Sequence, residues 1–190
     1  MKITNFAAII IFIALSGCAH PMVITSDIQA LKPTENTTRV PKNVGLYIPP
    51  AKQDLQVTTP GGGGDRVSYH PYSDMKSGIY KMLSNVFMDV RLLNSAKVAP
   101  PNTYVIEPEI TTKSWSSGVF TWMATDFTVQ LTCKLSDASG NSIGVYSAEG
   151  AGHAVFDELK SDFSVAGERA SQDALQKMQV ILLNAPELRR

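Results

Sequence analysis

The side chains that could do chemistry in this chain are few, and their spacing narrows what that chemistry is. There are two cysteines, Cys18 and Cys133, and three histidines, His20, His70 and His153. No histidine has a second histidine, a cysteine or a carboxylate at a metal-ligand spacing specific enough to mark a site, so neither a metal nor another cofactor is expected. No Gly-x-Ser-x-Gly turn presents a nucleophile. His70, in Tyr69-His70-Pro71-Tyr72 ahead of a helical pattern, has the place of a capping or surface residue, because a general base needs an arranged partner. Glu107 and Glu109 share one face of an alternating strand, which makes them a solvated face rather than an acid and base pair. The run Gly61-Gly62-Gly63-Gly64-Asp65-Arg66 lacks the Gly-x-Gly-x-x-Gly order and the Gly-Lys-Ser/Thr ending of phosphate loops. It reads as a flexible connection, or as one that orders on a partner. No enzyme is expected.

Cys18 stands in a different setting. It closes an apolar run from Phe6 to Leu15 that follows a single Lys2, with the small residues Ser16 and Gly17 just before it. That run is shorter than the roughly 20 residues needed to span a bilayer. A positive start, a short apolar stretch and small residues at its end are the parts of a secretory signal. Leu15-Ser16-Gly17-Cys18 resembles the lipobox of a bacterial lipoprotein signal peptide. The resemblance implies cleavage after Gly17, a mature chain beginning at Cys18, a diacylglyceryl thioether on its sulfur and an acyl chain such as palmitate on its amine. Two or more acyl chains hold stably where one is marginal, so the implied partner is a membrane reached through this lipid anchor. Ala19 rather than aspartate follows the cysteine, which by resemblance to lipoprotein sorting implies the outer membrane and its periplasmic face. An ordinary secretory signal with a chance cysteine is the competing reading.

Setting residues 1–17 aside as signal peptide leaves 173 of the 190 residues, enough for one core. Seventeen basic and seventeen acidic side chains balance, so nothing attracts nucleic acid electrostatically. With Cys18 acylated, Cys133 has no partner in the chain and must be buried or reactive in an oxidising compartment.

The elements that position these residues follow from periodicity. Residues 18–42 hold Pro, Thr and Asn without a sustained period and read as a lipid-anchored flexible tether. The domain is expected over 43–190. Val44-Gly45-Leu46-Tyr47-Ile48 is a strand stopped by Pro49-Pro50, and a long glycine-rich connection follows. Met75, Ile79, Met82, Leu83, Val86, Phe87 and Val90 make one helical stripe and predict a helix over about 73–89. A short strand over 91–94 follows. Residues 103–113 alternate as a strand that Pro108 restricts to an edge or a bulge. Phe127, Val129, Leu131, Cys133 and Leu135 face one way, against Thr128, Gln130, Thr132 and Lys134, and a turn at Asp137–Asn141 folds this strand into a hairpin with 142–151. Cys133 therefore points inward. A last helix spans about 164–184, its Ala166, Ala170 and Ala174 allowing close approach to a sheet. The fold class expected is α+β, a two-layer sandwich with a mostly antiparallel sheet and two helices on one face.

Trp115-Ser116-Ser117-Gly118-Val119-Phe120-Thr121-Trp122 gathers both tryptophans of the chain around a turn. Trp115, Phe120 and Trp122 make a contact patch for another protein or for a lipid headgroup layer, unless they fold back over the core.

Lipobox, tether, strand, amphipathic helix, hairpin at Leu135–Asn141 and C-terminal helix together resemble a group of small envelope lipoproteins. Its compact α/β domain is that of the curli secretion lipoprotein and of the N-terminal domain of the Tol periplasmic protein. The resemblance implies a non-enzymatic interaction or assembly module facing the periplasm, with an envelope protein partner or self-association. A ligand-binding or transport-accessory lipoprotein for a lipid or glycan is the alternative, its site bordered by the Gly61–Arg66 loop and the Trp115–Trp122 hairpin.

Overall fold

Phe127, Val129, Leu131, Cys133 and Leu135 are all buried, while the residues between them stay at least partly exposed, as a half-buried strand requires. In the computed structural model, which describes residues 19–60, 66–96, 99–116 and 125–189, this strand lies inside a five-stranded sheet. The strands in chain order are β1 (His20–Pro21), β2 (Val40–Tyr47), β3 (Val57–Pro60), β4 (Arg66–Tyr69), β5 (Phe87–Leu93), β6 (Thr103–Trp115), β7 (Asp126–Ser136) and β8 (Ser142–His153). The helices are α1 (Pro50–Gln53), α2 (Pro71–Val86), α3 (Phe156–Leu159) and α4 (Val165–Leu183), with 3-10 turns at Ile28–Ala30 and Pro186–Arg189.

The large sheet has the order β5-β2-β6-β7-β8, and a small sheet has the order β1-β4-β3. Helices α2 and α4 pack on the large sheet and on each other, so the fold is the expected α+β sandwich. Its pairing is mixed, because β2 runs parallel to both β5 and β6 whereas β6, β7 and β8 are antiparallel. The reason is the crossover: α2 carries the chain back between β2 and β5, and such a return produces a parallel pair. Pro108 sits where the expectation put it. The register of β2 with β6 ends at Ile106, so Pro108 has a partner on the β7 side only and the strand is locally an edge.

Three expectations change. The helix ends at Val86, and Phe87 and Val90 belong to β5, with Phe87 in extended backbone at φ −107° and ψ 158°. The spacings of 83, 86, 87 and 90 fit a helical stripe, and Phe87 and Val90, three apart, do not alternate as a strand face, so periodicity carried the helix past its end. The glycine run is flanked by a hairpin, β3 against β4, whose four-residue strands are too short to show a period. Gly61 to Gly64 themselves lie outside the described residues.

The third change concerns the tether. Residues 19–42 lie on the domain, with Ile24 and Val40 at 0% and Leu31 at 1% exposure. A β-carbon on Gly167 of α4 would meet Ile24 and Met22, and one on Gly78 of α2 would meet Ser26, so the segment is in close contact with both helices. Farther along, Asn85 donates to the carbonyl of Leu31 and to Oε1 of Gln179, both at 2.9 Å. Gln179 in turn donates to the carbonyl of Lys32 at 2.9 Å and to Thr34 at 3.0 Å. This buried amide pair satisfies itself by binding backbone that a tether would leave in water. Met22, Ile24 and Leu31 are irregularly spaced along the helices, and Val40 already opens β2 opposite Phe87, which is why no period announced them.

Cys133 is an unbridged thiol at 0% exposure, and burial pushes its pKa up to about 12. Because only the thiolate attacks, native Cys133 stays protonated at pH 8 while an unfolded cysteine with a pKa of about 8.5 is partly ionised. In a Cys18→Ala chain, a thiol reagent at pH 8 is expected to label the native protein slowly and the urea-unfolded protein fast. Rapid native labelling would mean that β7 faces the other way, since a one-residue slip inverts every side chain.

Candidate functional site

The antiparallel register of three strands sets Trp115 opposite Asp126 and Asp126 opposite His153. This row crosses one end of the sheet on its polar face. His153 Nδ1 lies 2.8 Å from Asp126 Oδ1, and Thr125 Oγ1 donates to Asp126 Oδ2 at 2.8 Å. The sequence offered no partner for His153, because Asp126 reaches it only through strand pairing. More than half of the His153 side chain is exposed, so water competes for the imidazole and the pair reads as a strand-end tie.

Just beyond the row the chain turns through Ala154, whose N–H donates to the Thr125 carbonyl at 2.9 Å, into α3. Glu158 locks this turn. Its carboxylate accepts from the Val155 N–H at 3.0 Å and from both terminal nitrogens of Arg169, at 2.7 and 3.0 Å. Those donors hold the Glu158 pKa down at about 2, so the clamp is ionised throughout the physiological range. Arg169 Nη1 also donates to the His153 carbonyl at 2.6 Å, which joins α4 to the end of β8.

The start of the described chain comes to the same end. β1 pairs with β4, the His20 ring sits 5.9 Å from the Phe163 ring, and the Val23 N–H donates to Ser164 Oγ at 3.2 Å. From there residues 22–32 run along α4 toward its C-terminus. Thr59 and Ser114 hydroxyls bond to each other, so the β3–β4 hairpin approaches this end too. Residues flanking the Gly61–Gly64 run and residues flanking the Trp115–Trp122 turn are thereby neighbours.

Around the row lie apolar side chains that are not buried. Val23 is 50% exposed, Trp115 46%, Val155 53%, Phe156 53% and Phe163 39%. Lys160 Nζ stands 4.7 Å from the centre of the Phe156 ring and bonds Asp157 at 2.8 Å. Trp115, which the sequence singles out, stands partly exposed at the end of β6. Phe120, Trp122 and Cys18 lie outside the described residues. Nothing in the sequence marks Val23, Val155, Phe156 and Phe163 as a group. Their only signal was negative: Val155-Phe156 stands next to Asp157-Glu158 in no helical or strand period.

The other residues weighed for chemistry have structural places. His70 is exposed at the start of α2, its N–H donating to Asp74 Oδ2 at 3.3 Å. Glu107 pairs with Lys52 at 3.1 Å and Glu109 with Lys134 at 2.6 Å on the open sheet face. No group of three or more His, Cys, Asp or Glu residues among those described could hold a metal ion. No helix among the described residues is long and apolar enough to cross a membrane. A groove of about 470 Å³ runs beside β5, lined by Ile28, Lys76, Tyr80, Lys81 and Leu92 among others.

No family model and no curated protein matches the chain. Among solved structures, the fold is similar to that of a protein from Xanthomonas campestris described under the family model DUF330. The match has a TM-score of 0.51 at 14% identity and covers 87% of this chain and 92% of that one. A minor lipoprotein from Acinetobacter baumannii aligns at TM-score 0.47 and 14% identity over 75% of this chain and 92% of that one. A dodecamer of PelC from Paraburkholderia phytofirmans gives TM-score 0.44 at 14% identity over 80% of this chain and 95% of that one. The first of these extends the fold assignment to a solved bacterial protein.

Proposed function

We propose that this chain is a non-enzymatic, lipid-anchored envelope protein, attached through Cys18 to the outer membrane and presenting its α+β domain to the periplasm as an interaction module. The observation that carries this reading is Leu15-Ser16-Gly17-Cys18 behind Lys2 and the apolar run from Phe6 to Leu15. Support comes from the far side of that cysteine, where His20 and Pro21 join the fold at the end that gathers exposed aromatic side chains. The order of elements resembles that of the curli secretion and Tol periplasmic group, whose members work by association, and that resemblance supports the reading. Its partners on this reading are the membrane, through the anchor, and an envelope protein or a second copy. A ligand-binding role for a lipid or glycan is the second reading, favoured by the apolar groove lined by Ile28, Tyr80 and Leu92.

The test is metabolic labelling with a radioactive fatty acid in cells expressing the chain or its Cys18→Ala variant, followed by membrane flotation and separation of inner from outer membrane. The unaltered chain is expected to carry label and float with the outer membrane, and the variant to lose both. Label and flotation that persist in the variant would refute the anchor. Recovery of the labelled chain in the inner membrane would refute its address.

A further inference from the structure

We infer that the domain rests directly on the lipid surface, with Val23, Val155, Phe156 and Phe163 seated in the headgroup layer and Trp115 at their margin. This deepens the reading above, since it takes Cys18 as the lipid attachment point. Reach decides it. Only Ala19 lies between Cys18 and His20, and an extended chain gains at most about 3.6 Å per step, so over two steps the acyl chains begin within roughly 7 Å of His20. His20 is not free to swing away: it pairs with Val67 in the small sheet, its ring packs on Phe163, and the next residues continue with Met22 N–H donating to the Ser68 carbonyl at 2.9 Å. A chain anchored there has no length from which to hang its domain at a distance, so the surface around His20 and Phe163 meets the bilayer.

The chemistry of that surface fits the occupant. Its apolar side chains are 39–53% exposed, and aromatic rings are favoured at the boundary between headgroups and acyl chains. Lys160 is paired with Asp157 and Arg169 with Glu158, and Asp162 accepts the Ser164 N–H, so no cation is left in excess there, and contact is apolar and needs no anionic lipid. Lys160, above the Phe156 ring, can lay its stem along the ring and turn its ammonium to phosphate.

The experiment uses the full lipidated chain in protein-free vesicles of phosphatidylethanolamine and phosphatidylglycerol. A nitroxide is attached at Phe156→Cys, at Phe163→Cys and, as a control near the opposite end of β8, at Val145→Cys; Val145 is 62% exposed. Collisions with oxygen, which concentrates in lipid, are compared with collisions with a nickel chelate, which stays in water. Oxygen is expected to dominate at 156 and 163 and nickel at 145, in salt as well as without it. Nickel dominating at 156 and 163 on vesicle-bound protein would overturn the docking while leaving the anchor intact. Exclusion of both reagents there would indicate a contact between copies and overturn it too. Failure of the chain to float with vesicles would overturn the anchor itself, and the docking with it. Both replaced side chains are well exposed, and an unlabelled Cys133 reports that each variant is folded.

Discussion

Alanine in place of Gly152 is expected to cost about 1–3 kcal/mol, the usual range for overpacking, and alanine at Gly150 and Gly152 together more. These glycines of β8 face α4 where a new β-carbon would lie 2.0 Å from the Ala166 carbonyl oxygen and 2.1 Å from that of Ala170. Both obstacles are helix backbone, so no side chain can rotate aside and the helix must move off the sheet. Against this, alanine is favoured over glycine in a strand by roughly 0.5–1 kcal/mol, and the clash outweighs that gain. Because both positions press on one helix, their effects will not add. With about 2–4 °C lost per kcal/mol at this size, the double variant should melt at least several degrees lower. A double variant as stable as the parent would mean that α4 does not lie this close to β8.

The second large effect is at Ile24, where alanine is expected to cost about 2–5 kcal/mol in urea denaturation. Ile24 is at 0% exposure against Gly167 of α4, and its N–H donates to Asp74 Oδ2 at 3.3 Å. A residue in a solvated tether would change stability by less than about 0.5 kcal/mol. The two outcomes do not overlap, so this one variant separates a packed strap from a tether. Loss of Ile24 should also open residues 19–32 to protease before the domain itself unfolds.

What the sequence revealed and what it hid divide along a physical line. Strong, long periods survived into the structure: β7 with its five inward residues, the hairpin to β8 with Gly140 at φ 88°, and the alanine stripe of α4. Close packing of that stripe was half visible. Ala166, Ala170 and Ala174 announce close approach in the sequence, but Gly150 and Gly152 opposite them show their purpose only once β8 is laid beside α4. The packed segment 19–42 was invisible for a related reason, since it has little regular secondary structure of its own and is held by Asn85 and Gln179, far away in sequence. The aromatic end shared that fate: strand pairing assembles the row of Trp115, Asp126 and His153, and the turn after β8 adds Phe156.

Cys18, one residue ahead of a packed strap rather than at the start of a tether, is the joint between the chemistry and the fold. Neutron reflectometry of the lipidated chain on a supported bilayer measures that joint directly. Protein density is expected to begin at the headgroup layer with no water-filled interval. A tether of about 25 residues would instead place the domain some 25–30 Å away, from 5–6 Å times the square root of its length, and a solvent gap of that order would contradict the account.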